Sequence, residues 1–181
     1  ASITMLAAQA DFSEPGELAF FINPSQLAML EATMHKKGVL DSRQMGGAFA
    51  MLRAQDLLWQ PAVDQYLKGK RQPMIDLMAW NADGTRMPWR MHSEYLYRLY
   101  LDNELATNRF PVDGKPVRLS DIRVPMFVVG TEADHVAPWK SVYKVDNLVR
   151  SDDFTFLLTS AGHNAGIVCG PAHPKRHFRL K

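Results

Sequence analysis

Two polar residues follow buried apolar runs in the last third of the sequence. Asp134 comes after the run 124–130, and His163 comes after the run 154–158. The order strand, loop, helix, strand, loop predicts a parallel βαβ unit, so both residues fall in loops at the carboxyl ends of neighbouring strands. An Asp carboxylate there can accept a hydrogen bond from one imidazole nitrogen, which leaves the other nitrogen as a base.

The chain order Asp then His, after the last two strands, is that of an α/β-hydrolase triad, which also needs a nucleophile. That nucleophile lies in a Gly-x-Ser-x-Gly or Gly-x-Cys-x-Gly elbow, and this sequence contains neither. The chain starts with Ala1, inside an apparent strand, so we expect the elbow upstream. Cys169 lies six residues after His163, and its context favours a buried, inert thiol.

Other interpretations of these residues stay open at this point. Asp134 could simply cap a helix that begins near Pro138, and His135 beside it could order the loop or support the site. His173 and His177 are four residues apart, but their Pro-containing, basic surroundings predict a solvated tail and no metal site. The one cysteine excludes an intrachain disulfide and a Cys-rich zinc site.

The composition is that of a folded domain. Of the 181 residues, 46% are hydrophobic and 22% are charged, which argues against disorder. The net charge of +2 gives no electrostatic footprint for nucleic acid. No apolar run approaches the roughly 18 residues of a membrane span.

Three segments must position the candidate residues. Residues 1–16 are predicted as a core strand and loop, residues 17–110 as a mainly helical segment, and residues 111–181 as the core that carries Asp134 and His163. We predict about three parallel strands, near 3–8, 125–130 and 154–158, and a hairpin at Asp113-Gly114. The fold class is thus α/β, and a sheet of so few strands leaves an edge uncovered.

Several segments together resemble the polyhydroxyalkanoate synthases, the poly(3-hydroxybutyrate) polymerase family. The similarity covers nearly the whole chain in order, and the segments that carry it are 64–69, 76–83, 97–105, 130–139 and 160–166. The resemblance implies a partial α/β-hydrolase fold with an inserted helical cap, in which residues 17–110 form the cap. It also implies a Cys-Asp-His triad, in which Asp134 and His163 match the Asp and His. It also places Trp80 near a substrate route and Ala165 where it would tune the fit of the acyl chain.

The resemblance also implies a function. Such enzymes transfer 3-hydroxyacyl groups from coenzyme A thioesters to a growing polyester, without a further cofactor. They act as dimers at granule surfaces in the cytoplasm, and this chain would be the C-terminal catalytic portion, inactive alone for lack of the upstream Cys. The alternatives are a fragment of an α/β-hydrolase esterase or depolymerase, and a non-catalytic module for dimerisation or granule binding.

Overall fold

The computed structural model describes residues 1–70, 73–170 and 173–181. The chain forms two compact units: the first comprises 1–23 and 95–181, and the second comprises 24–94. The helical segment predicted over 17–110 therefore extends past the second unit at both ends. Its role as a cap stays a prediction.

The described residues form strands and helices of very different lengths. The strands are β1 (Ile3–Leu6), β2 (Val39–Leu40), β3 (Met87–Pro88), β4 (Pro111–Val112), β5 (Lys115–Pro116), β6 (Met126–Thr131), β7 (Phe154–Thr159) and β8 (Phe178–Leu180). The helices are α1 (Pro24–Lys37), α2 (Ser42–Leu52), α3 (Gln60–Ala62), α4 (Asp76–Ala82), α5 (Trp89–Tyr95) and α6 (Trp139–Tyr143). Helical turns of 3₁₀ type cover Gly16–Phe21, Leu119–Asp121 and Lys144–Asn147, and turns of π type cover Gln55–Trp59, Val63–Leu67 and Leu96–Leu101.

The main sheet lies in the first unit and has the strand order β1-β6-β7-β8. β1, β6 and β7 run parallel to one another, which confirms the three predicted strands within two residues at each end. β8 pairs antiparallel with β7, and the sequence pattern does not predict this fourth strand. His173 and His177 are both exposed, as the predicted solvated tail requires, but the chain is anchored at His177, whose backbone N–H donates to Ser160 Oγ at 3.1 Å. Pro171 and Ala172, between these regions, lie outside the described residues.

The core of the first unit lies between this sheet and the helical segment that follows β6. Val128 on β6 and Val142 on α6 are both 0% exposed. Val145, in the next 3₁₀ turn, and Phe156, on β7, belong to the same buried cluster. Because β6 is buried along most of its length, its sequence is a continuous apolar run, as expected for a central parallel strand.

The second unit is built from short helices with sequence-encoded ends. Asp41 caps α2, and its carboxylate accepts the backbone N–H of Arg43 at 3.0 Å. α1 ends where Gly38 adopts a left-handed backbone with φ of 75°. β2, which follows α1 in the chain, pairs antiparallel with β3, which precedes α5. No described helix is both long enough and apolar enough to cross a membrane.

Candidate active site

The loops that carry Asp134 and His163 begin at the same end of the sheet. β6 and β7 pair in parallel over their whole length, so Thr131 and Thr159 are register partners at their carboxyl ends. The pairing continues beyond the strands: Glu132 N donates to Thr159 O at 2.8 Å, and Ala133 N donates to Ala161 O at 2.9 Å. The two loops are therefore held side by side before either candidate residue is reached.

The structure brings Asp134 and His163 into direct contact. His163 Nδ1 lies 2.8 Å from Asp134 Oδ2. The Asp134 side chain is fully buried, whereas the His163 side chain is 35% exposed. Since an ionised carboxylate only accepts hydrogen bonds, Nδ1 must carry the proton in this contact, and Nε2 is then the basic nitrogen.

Four donors surround the Asp134 carboxylate. Oδ1 accepts the backbone N–H groups of Val136 at 2.9 Å and Ala137 at 2.8 Å. Oδ2 accepts Thr131 Oγ1 at 3.2 Å in addition to His163 Nδ1. Burial raises the pKa of Asp134, but the hydrogen bonds from His163 and Ala137 and the His163 charge outweigh burial and lower this pKa overall. The carboxylate therefore stays ionised and can stabilise a protonated imidazole.

The other predicted site residues lie in different surroundings. His135 is half-buried in the Asp134 loop, where its carbonyl accepts the backbone N–H of Glu17 at 3.3 Å. Ala165 is half-buried in the turn that follows His163. Trp80 lies on α4 of the second unit and is 64% exposed. Cys169 is half-buried, and its sulfur accepts Arg176 Nε at 3.2 Å, so it takes no part in the Asp134–His163 contact.

Residues that no sequence motif predicts support this contact. Thr131 Oγ1 donates to Asp134 Oδ2 at 3.2 Å, and Thr159 Oγ1 donates to Gly166 O at 2.9 Å in the loop that carries His163. The one available signal was position, because Thr131 and Thr159 are polar residues at the ends of apolar strands. No group of three His, Cys, Asp or Glu side chains within 1–70, 73–170 and 173–181 is placed to hold a metal ion.

Comparison with known proteins identifies the family. No protein-family model matches the chain. It is 40% identical over 177 residues to the poly(3-hydroxyalkanoate) polymerase subunit PhaC of Rhizobium meliloti (strain 1021), covering 98% of this chain and 29% of that protein. Identity is 37% to the poly(3-hydroxyalkanoate) polymerase of Methylorubrum extorquens and 35% to the subunit PhaC of Cupriavidus necator, over 99% and 97% of this chain. The chain belongs to the poly(3-hydroxyalkanoate) polymerase family.

The chain spans less than a third of the length of these polymerases, 29% and 31% for the latter two. The identities of 35–40% over nearly the whole chain confirm the family resemblance inferred from the sequence. The match covers only part of each polymerase.

Proposed function

We propose that this chain is the C-terminal catalytic portion of a poly(3-hydroxyalkanoate) polymerase with an α/β-hydrolase core. In this function, 3-hydroxyacyl groups pass from coenzyme A thioesters to a growing polyester. The hydrogen bond of 2.8 Å between His163 Nδ1 and Asp134 Oδ2 is the main support, because it gives a family member an oriented base with an ionised partner.

The reaction assigns a task to each residue. A cysteine thiolate outside this chain attacks the thioester carbonyl, and the coenzyme A thiolate leaves. His163 Nε2 takes the proton of the cysteine thiol, delivers it to the leaving thiolate, and later takes the proton of the 3-hydroxyl group that attacks the acyl-enzyme. Asp134 fixes the imidazole tautomer and stabilises the imidazolium. No cofactor other than the coenzyme A thioester substrate enters these steps.

The substrate contacts of this function are also part of the proposal. Ala165 is two residues from His163 and half-buried, so its small side chain would leave room for the acyl chain. His135 adjoins Asp134 in the same loop and would line the approach to the site. Trp80 is exposed and would contact the substrate or the polyester along its route.

His163→Ala in the polymerase that contains this chain tests the catalytic role. We expect release of coenzyme A from 3-hydroxybutyryl-CoA to fall by about 10²–10⁴-fold, the usual contribution of a general base. His173→Ala is the matched control, since this exposed imidazole lies outside the Asp134 contact. Unchanged polymer synthesis by His163→Ala would contradict the proposal. Formation of free 3-hydroxy acid instead of polymer would favour the esterase or depolymerase alternative.

The isolated chain gives a second test. It has one cysteine, Cys169, which contacts Arg176 and not His163. We therefore expect no release of coenzyme A by the chain alone. Robust release would show that this proposal misplaces the nucleophile.

Exposed apolar side chains favour an additional role in contact with other molecules. Tyr66 and Leu67 are 83% and 80% exposed, and Trp59 is 64% exposed, all in the second unit. Large apolar side chains that are exposed close together in the sequence are typical of interaction sites. We assign it to contact with a second copy and with the granule surface in the cytoplasm. Sedimentation of a Tyr66→Ser, Leu67→Ser variant should show weaker self-association, and an unchanged dimer would exclude this surface from the dimer contact.

A further inference from the structure

Two threonines end the neighbouring strands that carry the candidate site. Thr131 ends β6 and Thr159 ends β7, and the two are partners in the parallel register. We propose that Thr131 and Thr159 are positioning residues that hold the Asp134–His163 pair in its reactive geometry. This inference rests on the polymerase function proposed above, but it concerns residues that neither transfer a proton nor touch the acyl group.

Thr131 fixes the oxygen of Asp134 that faces the imidazole. Thr131 is 0% exposed, and its Oγ1 donates to Asp134 Oδ2 at 3.2 Å. The two backbone donors, Val136 and Ala137, both bind Oδ1, and Oδ2 is bound by the imidazole itself and by Thr131. The Thr131 hydroxyl therefore holds Oδ2 in place independently of His163. It also shares Oδ2 with His163 Nδ1, which weakens Oδ2 as a proton acceptor and keeps the proton on the imidazole.

Thr159 closes the loop that carries His163. Its hydroxyl donates to Gly166 O at 2.9 Å, across the segment 160–165 that contains the imidazole. Gly166 N donates to Gly162 O at 2.8 Å within the same segment. These two bonds fix the backbone on both sides of His163 relative to the end of β7. The backbone position of His163 is therefore fixed relative to the end of β7.

Gly166 contacts both threonines. A methyl group added at Gly166 would lie 2.5 Å from Thr131 Cγ2 and 2.8 Å from Thr131 Cβ. The Gly166 backbone thus rests directly on the side chain that holds Asp134, while its carbonyl is held by Thr159. A movement of either threonine would change the distance between Asp134 and His163, because the two loops touch at this point.

Thr131→Val tests the inference, since it removes the hydroxyl and keeps the branched shape. In the polymerase that contains this chain, we expect kcat to fall about tenfold at unchanged KM, as for loss of one buried hydrogen bond. Without the hydroxyl, Oδ2 becomes a stronger acceptor, so the acidic limb of the kcat/KM profile should move to higher pH. Thr131→Ser restores the hydroxyl, so it should restore both kcat and the position of the acidic limb. Thr159→Val should lower kcat without moving the profile.

A spectroscopic measurement separates this inference from the polymerase function. In this chain, the proton NMR signal of His163 Nδ1–H should move downfield in Thr131→Val and return in Thr131→Ser. Thr155→Val, a β7 threonine at the other end of the strand, is the matched control and should leave signal and activity unchanged. Equal signals in wild type and Thr131→Val, or no recovery in Thr131→Ser, would overturn the positioning role. An active His163→Ala would instead overturn the function, whatever the NMR signals show.

Discussion

Asp134→Asn is the sharpest single perturbation of this site, because it keeps shape and changes only the pattern of donors and acceptors. The carboxylate accepts four hydrogen bonds: two backbone N–H groups on Oδ1, and Thr131 with His163 on Oδ2. An amide can accept on one side only. Its two possible orientations therefore have very different costs, and these costs decide what happens to the imidazole.

The favoured orientation keeps the amide oxygen on the two backbone donors. The reverse orientation would point an NH₂ group at Val136 N and Ala137 N and leave both donors unsatisfied, at about 1–3 kcal/mol for the buried N–H of Ala137. In the favoured orientation, the NH₂ group faces Thr131 and His163. The Thr131 hydroxyl can turn and accept, but His163 Nδ1 must then give up its proton. Nε2 becomes protonated and can no longer act as a base.

The loss of the correct tautomer sets the expected rate. In a Ser-His-Asp enzyme the corresponding change lowers kcat by about 10⁴-fold. We expect a loss of about 10³–10⁴-fold for Asp134→Asn, measured as disappearance of the thioester of 3-hydroxybutyryl-CoA with the polymerase that contains this chain. Asp152→Asn, an exposed acid before β7, is the matched control.

A double variant makes the test stricter. Asp134 acts through His163, so Asp134→Asn in a His163→Ala background should cost almost nothing more. Asp134→Asn activity within tenfold of the wild type would refute the tautomer reasoning. Additive losses in the double variant would show that Asp134 acts independently of the imidazole.

Three further predictions concern stability, each measured by urea unfolding of the chain. Burial raises the pKa of Asp134 but the hydrogen bonds lower it below 3.8 overall, so its stabilisation is present above that value and lost as the pH falls below it. The difference between wild type and Asp134→Asn should therefore be larger at about pH 7 than at about pH 3, and equal differences would contradict this. Gly166→Ala should cost about 1–3 kcal/mol because its methyl group would lie 2.5 Å from Thr131, whereas Gly170→Ala, which meets no atom of the described residues within 4 Å, should cost far less. Val142→Ala removes part of a side chain that is 0% exposed and should cost about 2 kcal/mol, and a loss below about 0.5 kcal/mol would contradict its place in the core.

The parts of the fold that were predictable are those with local signals. The apolar runs gave β6 and β7 within one residue because a buried parallel strand is apolar on both faces. The predicted hairpin of β4 and β5 is confirmed. Asp113 and Gly114 adopt the positive φ values that its turn requires, 50° and 75°.

The parts that were not predictable depend on distant contacts. β8 is three exposed residues, and its pairing with β7 appears in no local pattern. The bond between Thr131 and Asp134 depends on the turn that follows β6, and the contact of Gly166 with Thr131 depends on how two loops fold together. The exposure of Trp80, 64%, likewise depends on how its helix packs and follows from no local pattern.

The strand register explains why a few local features suffice to build the Asp–His contact. Parallel pairing places Thr131 opposite Thr159, and the next two residues of the Asp134 loop bond to the chain just before His163. Every hydrogen bond described for Asp134 comes from residues 131–163. A shift of one residue in the pairing of β6 and β7 would turn the side chains of one strand to the opposite face and bury polar groups in the core. The apolar core that fixes this register therefore also sets the geometry of the candidate site.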